Sequence, residues 1–272
     1  MPQDPGTAAV TAAASPTRSE LTAHLRTARI AGDVATPREN NRSHYRSLAE
    51  GDRHYWLGLE LGDRWTEESA VLAVMAERCG VVPDPAYTAG PDTIDPELCV
   101  AALDRMAARL REAARQRARV LFATGHPAGM FTVHRALAQA MAAAGCTVLL
   151  SGDIRLPDGR QEVRMVDRVA MLHLGGHLLH THEPEPMRVL LDRLRDRDGG
   201  LPDLVVADHG WAGHAGLRGI PTVGFADCND PALFLAEAEG TLLVTVPLDD
   251  NVSPQLYEPL TAYLLSAAGL DG

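Results

Sequence analysis

LPDLVVADHGW, Leu201 to Trp211, carries four apolar residues in a row, Leu204 to Ala207, and then breaks off at Asp208-His209-Gly210. A short apolar run bounded by turn residues reads as a strand buried on both faces, as in a parallel sheet. The acid and imidazole directly after it either cap the next helix or face something that needs them. The same unit recurs on both sides. ARVLFATGHP, from Ala118, gives strand and turn; FTVHRALAQAMAAAG gives a helix with Gly145 past its end; CTVLLSGD is a strand again. RVAMLH, PTVGFAD and TLLVTVPLDD add further apolar runs, and MRVLLDRLRD and SPQLYEPLTAYLLSAA have helical patterns. Short strands alternating with amphipathic helices predict an α/β domain over residues 118–272, a doubly wound, mostly parallel, Rossmann-like sheet.

Residues 17–117 have a different character. Thr17 and Glu20 fit a capping box ahead of Leu21 and Leu25, and Thr36-Pro37-Arg38-Glu39 fits a second one with Pro at the first helical position. Thr66-Glu67-Glu68 opens a helix carrying Val71, Leu72 and Met75 and ending near Gly80; Asp95-Pro96 opens another with Leu98, Ala102, Met106 and Leu110 on one stripe. Nothing in this half has the pattern of a strand. It predicts an N-terminal helical bundle, or a cap over the α/β domain. Residues 1–16 lack a basic start and a leucine-rich stretch, so they read as a flexible tail rather than a signal peptide.

The chain has 272 residues, 46% of them hydrophobic, enough for a substantial core. Only 4% are aromatic and the formal net charge is −11, which argues against stacking platforms and phosphate-backbone binding, hence against nucleic acid. No apolar run is long enough to cross a bilayer. Cys79, Cys99, Cys146 and Cys228 are widely spaced and form neither a zinc framework nor a disulfide scaffold, which predicts reduced thiols and a cytoplasmic protein. A homo-oligomer stays open.

In an open parallel sheet ligands bind beyond the carboxyl ends of the strands. Here nearly every such end is polar: Thr124-Gly125-His126, Ser151-Gly152-Asp153, Asp208-His209-Gly210, Asp227-Cys228-Asn229-Asp230 and Asp249-Asp250-Asn251. Acids converging on one rim repel one another unless protons or cations intervene. Such oxygen-rich clusters suit a divalent metal, Mg²⁺ or Mn²⁺ first, with Asp208, Asp227, Asn229 and Asp230 as leading ligands. The plainer alternatives are that Asp227 or Asp230 caps the helix starting near Pro231, and that Asp249 and Asp250 belong to a solvated turn.

Histidine forms a second cluster in LHLGGHLLHTH. Gly175-Gly176 argues against a helical HxxxH between His173 and His177, whereas His180 and His182 alternate on an extended segment and point the same way. They could hold a metal, contact a phosphate or shuttle a proton, or they are surface-loop residues. His24, His44, His54, His134 and His214 read as structural or solvated. The turn ATGHPAG, with Gly125 and His126 before Pro127, offers backbone amides to an anion. It is not GxGxxG, and there is no GxxxxGK[ST]; lysine is absent from the chain, so any side-chain phosphate clamp relies mainly on Arg or His. Arg38, Arg42 and Arg46, with Asn41 and Tyr45, repeat at three- and four-residue spacing on one helix face, either a substrate clamp or a solvated stripe.

The segment from TGHPAG through DHGWAGHAGLRGIPTVGFADCNDPALFLAEAEG to VPLDD, with PRENNRSHYRSL and IDPELCVAAL upstream, resembles a group of actinobacterial proteins labelled phosphatase. The resemblance covers most of the chain and implies phosphomonoester hydrolysis without naming a substrate. The layout is also similar to the metal-dependent damage-control phosphatases, although their DNxGE-type motif is absent, so none of their ligands is carried over. TGHPAGMFTVHRALAQAMAAAGCTVLL and DLVVADHG…GIPTVGF also look like parts of a GT-B glycosyltransferase, which needs two Rossmann-like domains where this chain has room for one. The leading expectation is a metal-dependent phosphatase acting on a small phosphorylated substrate, a sugar phosphate or nucleotide. Asp208, Asp227 and Asn229, with Asp230, would hold the metal, and His209 or His180 would donate a proton. Gly125, His126, His182 and the arginines would bind the phosphate. The rivals are a non-enzymatic nucleotide or sugar-phosphate sensor and a glycosyl-transferring relative.

Overall fold

A computed structural model of the chain describes residues 15–196 and 200–271. Residues 1–14 of the anticipated tail lie outside the described residues. The N-terminal part holds α1 (Arg18–Thr27), β1 (Gly32–Pro37), α2 (Arg38–Ala49), α3 (Glu68–Arg78), β2 (Pro91–Ile94) and α4 (Pro96–Gln116). Then follow β3 (Arg119–Ala123), α5 (Pro127–Ala143), β4 (Thr147–Val148), β5 (Ile154–Arg155), β6 (Glu162–Val166), β7 (Val169–Leu174) and β8 (His177–Leu179). The chain ends with α6 (Glu185–Arg195), β9 (Leu204–Asp208), α7 (His209–Leu217), β10 (Thr222–Ala226), α8 (Pro231–Ala238), β11 (Val244–Pro247) and α9 (Glu258–Ala268).

The α/β reading holds. Nine strands form one sheet in the order β11-β10-β9-β3-β7-β6-β5, with β4 also pairing with β3 and β8 with β7. From β11 to β7 all pairings are parallel. Beyond β7 the sheet becomes an antiparallel meander, β5 to β8. Two of its turns use two-residue loops with positive φ at both positions, Asp167-Arg168 and Gly175-Gly176, the geometry that lets twisted strands reverse tightly. Gly175-Gly176 is therefore a hairpin turn, and across it His177 pairs with Leu174 and His173 with Leu178, so the two imidazoles do not lie along a helix. CTVLLSGD contributes only Thr147–Val148 as strand. The described residues contain one such parallel sheet, not the pair a GT-B enzyme uses.

Helices cover the sheet as two layers. α4, α5 and α9 pack together, with α5 on β3 and β7; α6, α7 and α8 pack in series, with α7 on β9 and β10. Sequence signals explain several helix starts. The Thr17–Glu20 capping box is present, and Asp95 accepts the Glu97 amide with Pro96 in the first turn of α4.

The N-terminal part departs from an all-helical bundle. β1 and β2 pair antiparallel across more than fifty residues of intervening chain, Gly32 opposite Ile94. Thr36 is in β1 and does not cap α2; its hydroxyl donates to Asp227 at 2.8 Å instead. One buried core runs through both parts, from Leu21 and Leu25 through Val206 and Phe225 to Leu264. Ala118 thus marks a change of architecture inside a continuous core. Among the described residues no helix is long and apolar enough to cross a membrane.

Candidate functional site

Because β3, β9, β10 and β11 run parallel side by side, their carboxyl ends reach one edge of the sheet. That edge carries Thr124-Gly125-His126, Asp208-His209, Asp227 to Asp230, and Asp249-Asp250-Asn251. The segment after β8 joins them: the Thr181 amide donates to the Gly125 carbonyl at 2.9 Å, which brings His180 and His182 over the rim. A cavity of about 180 Å³ opens there, lined by Thr36, His126, His180, His182, His209, Asp227, Asn229, Asp230, Asp250 and Asn251. A larger hollow of about 600 Å³ elsewhere is bordered by Arg78, Arg105 and Glu237, but those two arginines are already tied to Glu237, at 3.3 and 3.1 Å. The smaller cavity is where donors converge.

Four of the five polar strand ends meet at this rim. Ser151-Gly152-Asp153 does not: the Ser151 hydroxyl bonds the Gly152 carbonyl and Asp153 pairs with Arg164.

Asp208 is at the rim but beneath its surface. Its Oδ1 accepts the Gly125 amide at 2.6 Å and His209 Nδ1 at 3.0 Å; its Oδ2 accepts the Thr124 hydroxyl at 2.5 Å and His134 Nε2 at 3.1 Å. Both oxygens are thus saturated, and the residue is fully buried. Burial alone would raise its pKa, but hydrogen bonds from His134 and His209 prevail and hold it well below the usual carboxylate range. This corrects the expectation that Asp208 is a metal ligand or reacting group. It orients His209.

His209 begins α7 with φ +46°, a left-handed conformation uncommon for a bulky residue and costly unless the surroundings enforce it. With Nδ1 committed to Asp208, Nε2 faces Asp230 Oδ2 at 3.3 Å and Asp250 Oδ2 at 3.5 Å. Burial disfavours its cation, but the Asp208 bond and the charges of Asp230 and Asp250 push its pKa up to about 10.

Asp230 sits at the cap position of α8, yet its side chain makes no capping bond. It points to the imidazoles, with His182 Nδ1 at 3.9 Å. Burial raises its pKa to about 6 despite His209. Asp227 accepts the Thr36 hydroxyl and the Cys228 amide, and burial together with Asp250 and Asp249 drives its pKa well up. Asn229 lines the cavity while its carbonyl is held by His44. Asp250, for which a solvated turn was the plainer alternative, is only 6% exposed and lies 3.3 Å from His126 Nδ1. His126 therefore enters the site by its ring. Its amide is bonded to the Thr124 hydroxyl and that of Gly125 to Asp208, so neither amide is free for an anion.

His180 and His182 do belong to the cavity. With His126 and His209 they form a cluster whose ring centroids lie 4.6–5.9 Å apart. Burial and the neighbouring imidazoles push His180 down to about 4 and His182 to about 3, so both are neutral near pH 7.

The arginine stripe is not a clamp. Arg38 is fully buried, with Asp92 at 3.0 Å and the carbonyls of Tyr87 and Asp84 as its other partners. Arg42 and Arg46 both turn to Glu68. None of the three lines the cavity.

The residues at the rim fit a cation. His209, Asp230 and Asp250 each offer a ligand atom within 4.8 Å of the others; so do His180, His182 and His209. Asp250 Oδ2, His126 Nδ1 and His182 Nδ1 are buried without a hydrogen-bond partner, which is costly unless something else satisfies them.

A parallel sheet whose carboxyl edge gathers acids and imidazoles over a small cavity has the architecture of α/β proteins that bind ligands beyond the strand ends. Residues 16–272 match the protein-family model described as Phosphatase. A curated Streptomyces coelicolor protein named Phosphatase SCO2771 is 59% identical over 261 residues, covering 94% of this chain and 98% of its own length. The chain belongs to this Phosphatase family, and it is a hydrolase of phosphate esters. That sets aside the non-enzymatic sensor and the glycosyl-transferring relative.

Proposed function

We propose that the chain is a divalent-cation-dependent phosphomonoesterase acting on a small sugar phosphate or related polyol phosphate. One observation carries the reading: the cavity is lined by three buried carboxylates and no arginine. A phosphate dianion entering it meets its own sign of charge unless cations stand between them. The donor set adds detail. Imidazole nitrogens mixed with carboxylates suit Mn²⁺ or another first-row ion better than Mg²⁺.

His209, Asp230 and Asp250 are the holding residues, with His182 and His126 adjoining. Asp208 engages His209 Nδ1, so that Nε2, once a cation displaces its proton, would be the ligating nitrogen, an arrangement common behind metal-binding imidazoles. A divalent cation bound there supplies Lewis-acid polarisation of the phosphoryl oxygens and a more acidic water. His180, exposed at the mouth and neutral, is placed to orient the attacking water by a hydrogen bond; a group with pKa about 4 is a poor resting donor.

The leaving group has room in an adjoining groove of about 530 Å³, which shares Thr36 and Asn251 with the smaller cavity. Its other walls include Asn40, Ser253, Val252 and Leu256, and no aromatic ring. Hydroxyl and amide groups without a stacking surface favour a sugar or polyol over a nucleobase. Four free, buried cysteines are in keeping with a cytoplasmic setting.

The test is a panel of sugar phosphates, nucleotides and an aryl phosphate, assayed after chelation and after adding back Mn²⁺ or Mg²⁺. Phosphate release should disappear on chelation and return best with Mn²⁺, and Asp230→Asn should lower kcat roughly 100-fold with the fold intact. Full activity after exhaustive chelation would overturn the proposal.

A further inference from the structure

The donor groups at the rim are not separate. Asp250 belongs to the set with His209 and Asp230, and also to a second set with Asp227 and Asp249 whose ligand atoms again lie within 4.8 Å of one another. We propose that the rim holds two divalent cations, the second between Asp227, Asp249 and Asp250, with the Asp250 carboxylate shared between both positions. This rests on the cation-dependent reading above and extends it.

Asp250 itself points to a ligand. It is 6% exposed, its Oδ2 has no hydrogen-bond partner, and that oxygen faces the cavity beside His209 Nε2 at 3.5 Å. A buried carboxylate oxygen left bare is rare in folded proteins, and a cation is the partner it can take from inside a cavity.

The second set is made of carboxylates alone, with no imidazole among its ligand atoms. Asp227 and Asp249 have only neutral partners: the Thr36 hydroxyl, and the amides of Cys228, Ala35 and Asn251. Both are at least nine-tenths buried. Each oxygen that accepts one of these bonds keeps a further lone pair.

The chemistry of the two positions differs. The first offers nitrogen and oxygen, the second oxygen only, which suits a hard ion, Mg²⁺ or Mn²⁺. Asp249 also borders the outer groove, so the second position stands where the two cavities meet. In two-metal sites the pair of ions acts on both the attacking and the leaving oxygen of an in-line displacement. The arrangement also accounts for β1: Ala35 and Thr36 hold Asp249 and Asp227 and so complete the second position from the N-terminal part of the chain.

The experiment is a count. Metal-free full-length protein is titrated with Mn²⁺, bound metal is measured by equilibrium dialysis with elemental analysis, and electron paramagnetic resonance is recorded at saturation. Two ions per chain with an exchange-coupled spectrum are expected, and excess Mg²⁺ should displace one of them. Asp249→Asn and Asp227→Asn should each bind a single ion showing the signal of an isolated Mn²⁺, with folding of each checked by thermal unfolding. The wild-type count decides even where a variant fails to fold. One Mn²⁺ per chain in protein whose phosphatase activity is restored overturns the second position while leaving the cation-dependent reading in place. Two uncoupled ions overturn the shared carboxylate. Activity with no bound metal overturns the reading beneath both.

Discussion

Asp208 and Asp250 show how two chemically identical side chains on one rim are set to different work. Asp208 accepts four hydrogen bonds and has no capacity left, so it positions its neighbour. Asp250 is nearly as deeply placed but has a bare oxygen toward the cavity. The arginines give the matching lesson among cations. Arg38 and Asp92 are both fully buried and form a closed ion pair, so Arg38→Met strands a carboxylate and should cost ~3–5 kcal/mol of stability. Arg46 is half-exposed and shares Glu68 with Arg42, so Arg46→Ala should cost less than ~1 kcal/mol. Both variants, assayed where they are folded, should keep KM within about two-fold of wild type, because neither removes binding to the substrate. Urea unfolding and steady-state kinetics check this. A ten-fold or larger rise in KM for Arg38→Met without loss of stability would return the residue to the role of phosphate clamp.

At the scale of elements, the rim depends on how closely α5 approaches the loop after β11. A Cβ placed on Gly129 would come 2.0 Å from the Asp250 carbonyl oxygen, a backbone atom that cannot swing aside. Gly210 at the start of α7 is similarly tight, 2.2 Å from the His182 carbonyl, so these two helices seat the two loops that carry donors. Gly129→Ala should therefore displace residues 249–251, costing ~1–3 kcal/mol and lowering kcat and Mn²⁺ affinity roughly ten-fold or more. The readout is metal affinity beside kcat. A variant with wild-type Mn²⁺ binding and turnover would mean that α5 does not hold the loop. Periodicity revealed α5, α7 and α8 and the strands between them, because each is a local pattern with its own stop signal. It did not reveal β1 and β2. GDVATP and PDTI are short, contain Gly or Pro, and gain strand geometry only from each other across α2 and α3. No window of local sequence contains both partners.

For the whole molecule, the parallel order explains why a list of polar strand ends was legible as one site: topology alone carries four of them to the same edge. Which acid is saturated and which is bare was not legible. That depends on contacts from His134, Thr124 and Thr36 that span 74 to 191 residues of chain, which no local pattern records. The same crowding makes stability a measure of cation binding. The chain has a formal net charge of −11, and at the rim Asp227, Asp230, Asp249 and Asp250 are buried together. A cation that binds only the folded state adds RT ln(1 + [L]/Kd), ~2.7 kcal/mol per site at a hundred-fold excess over Kd. At ~2–4 °C per kcal/mol for a chain of this size, Mn²⁺ should raise the Tm of metal-free protein by about 5–10 °C for one site. Two sites should raise it further. The rise should continue with the logarithm of Mn²⁺ concentration after saturation, whereas general charge screening levels off and is reproduced by sodium chloride at equal ionic strength. Calorimetric scans of metal-free protein against both salts separate the two. A Tm insensitive to millimolar Mn²⁺ would mean that these carboxylates hold protons rather than metal in the folded protein, and the phosphoryl group would then need another source of positive charge.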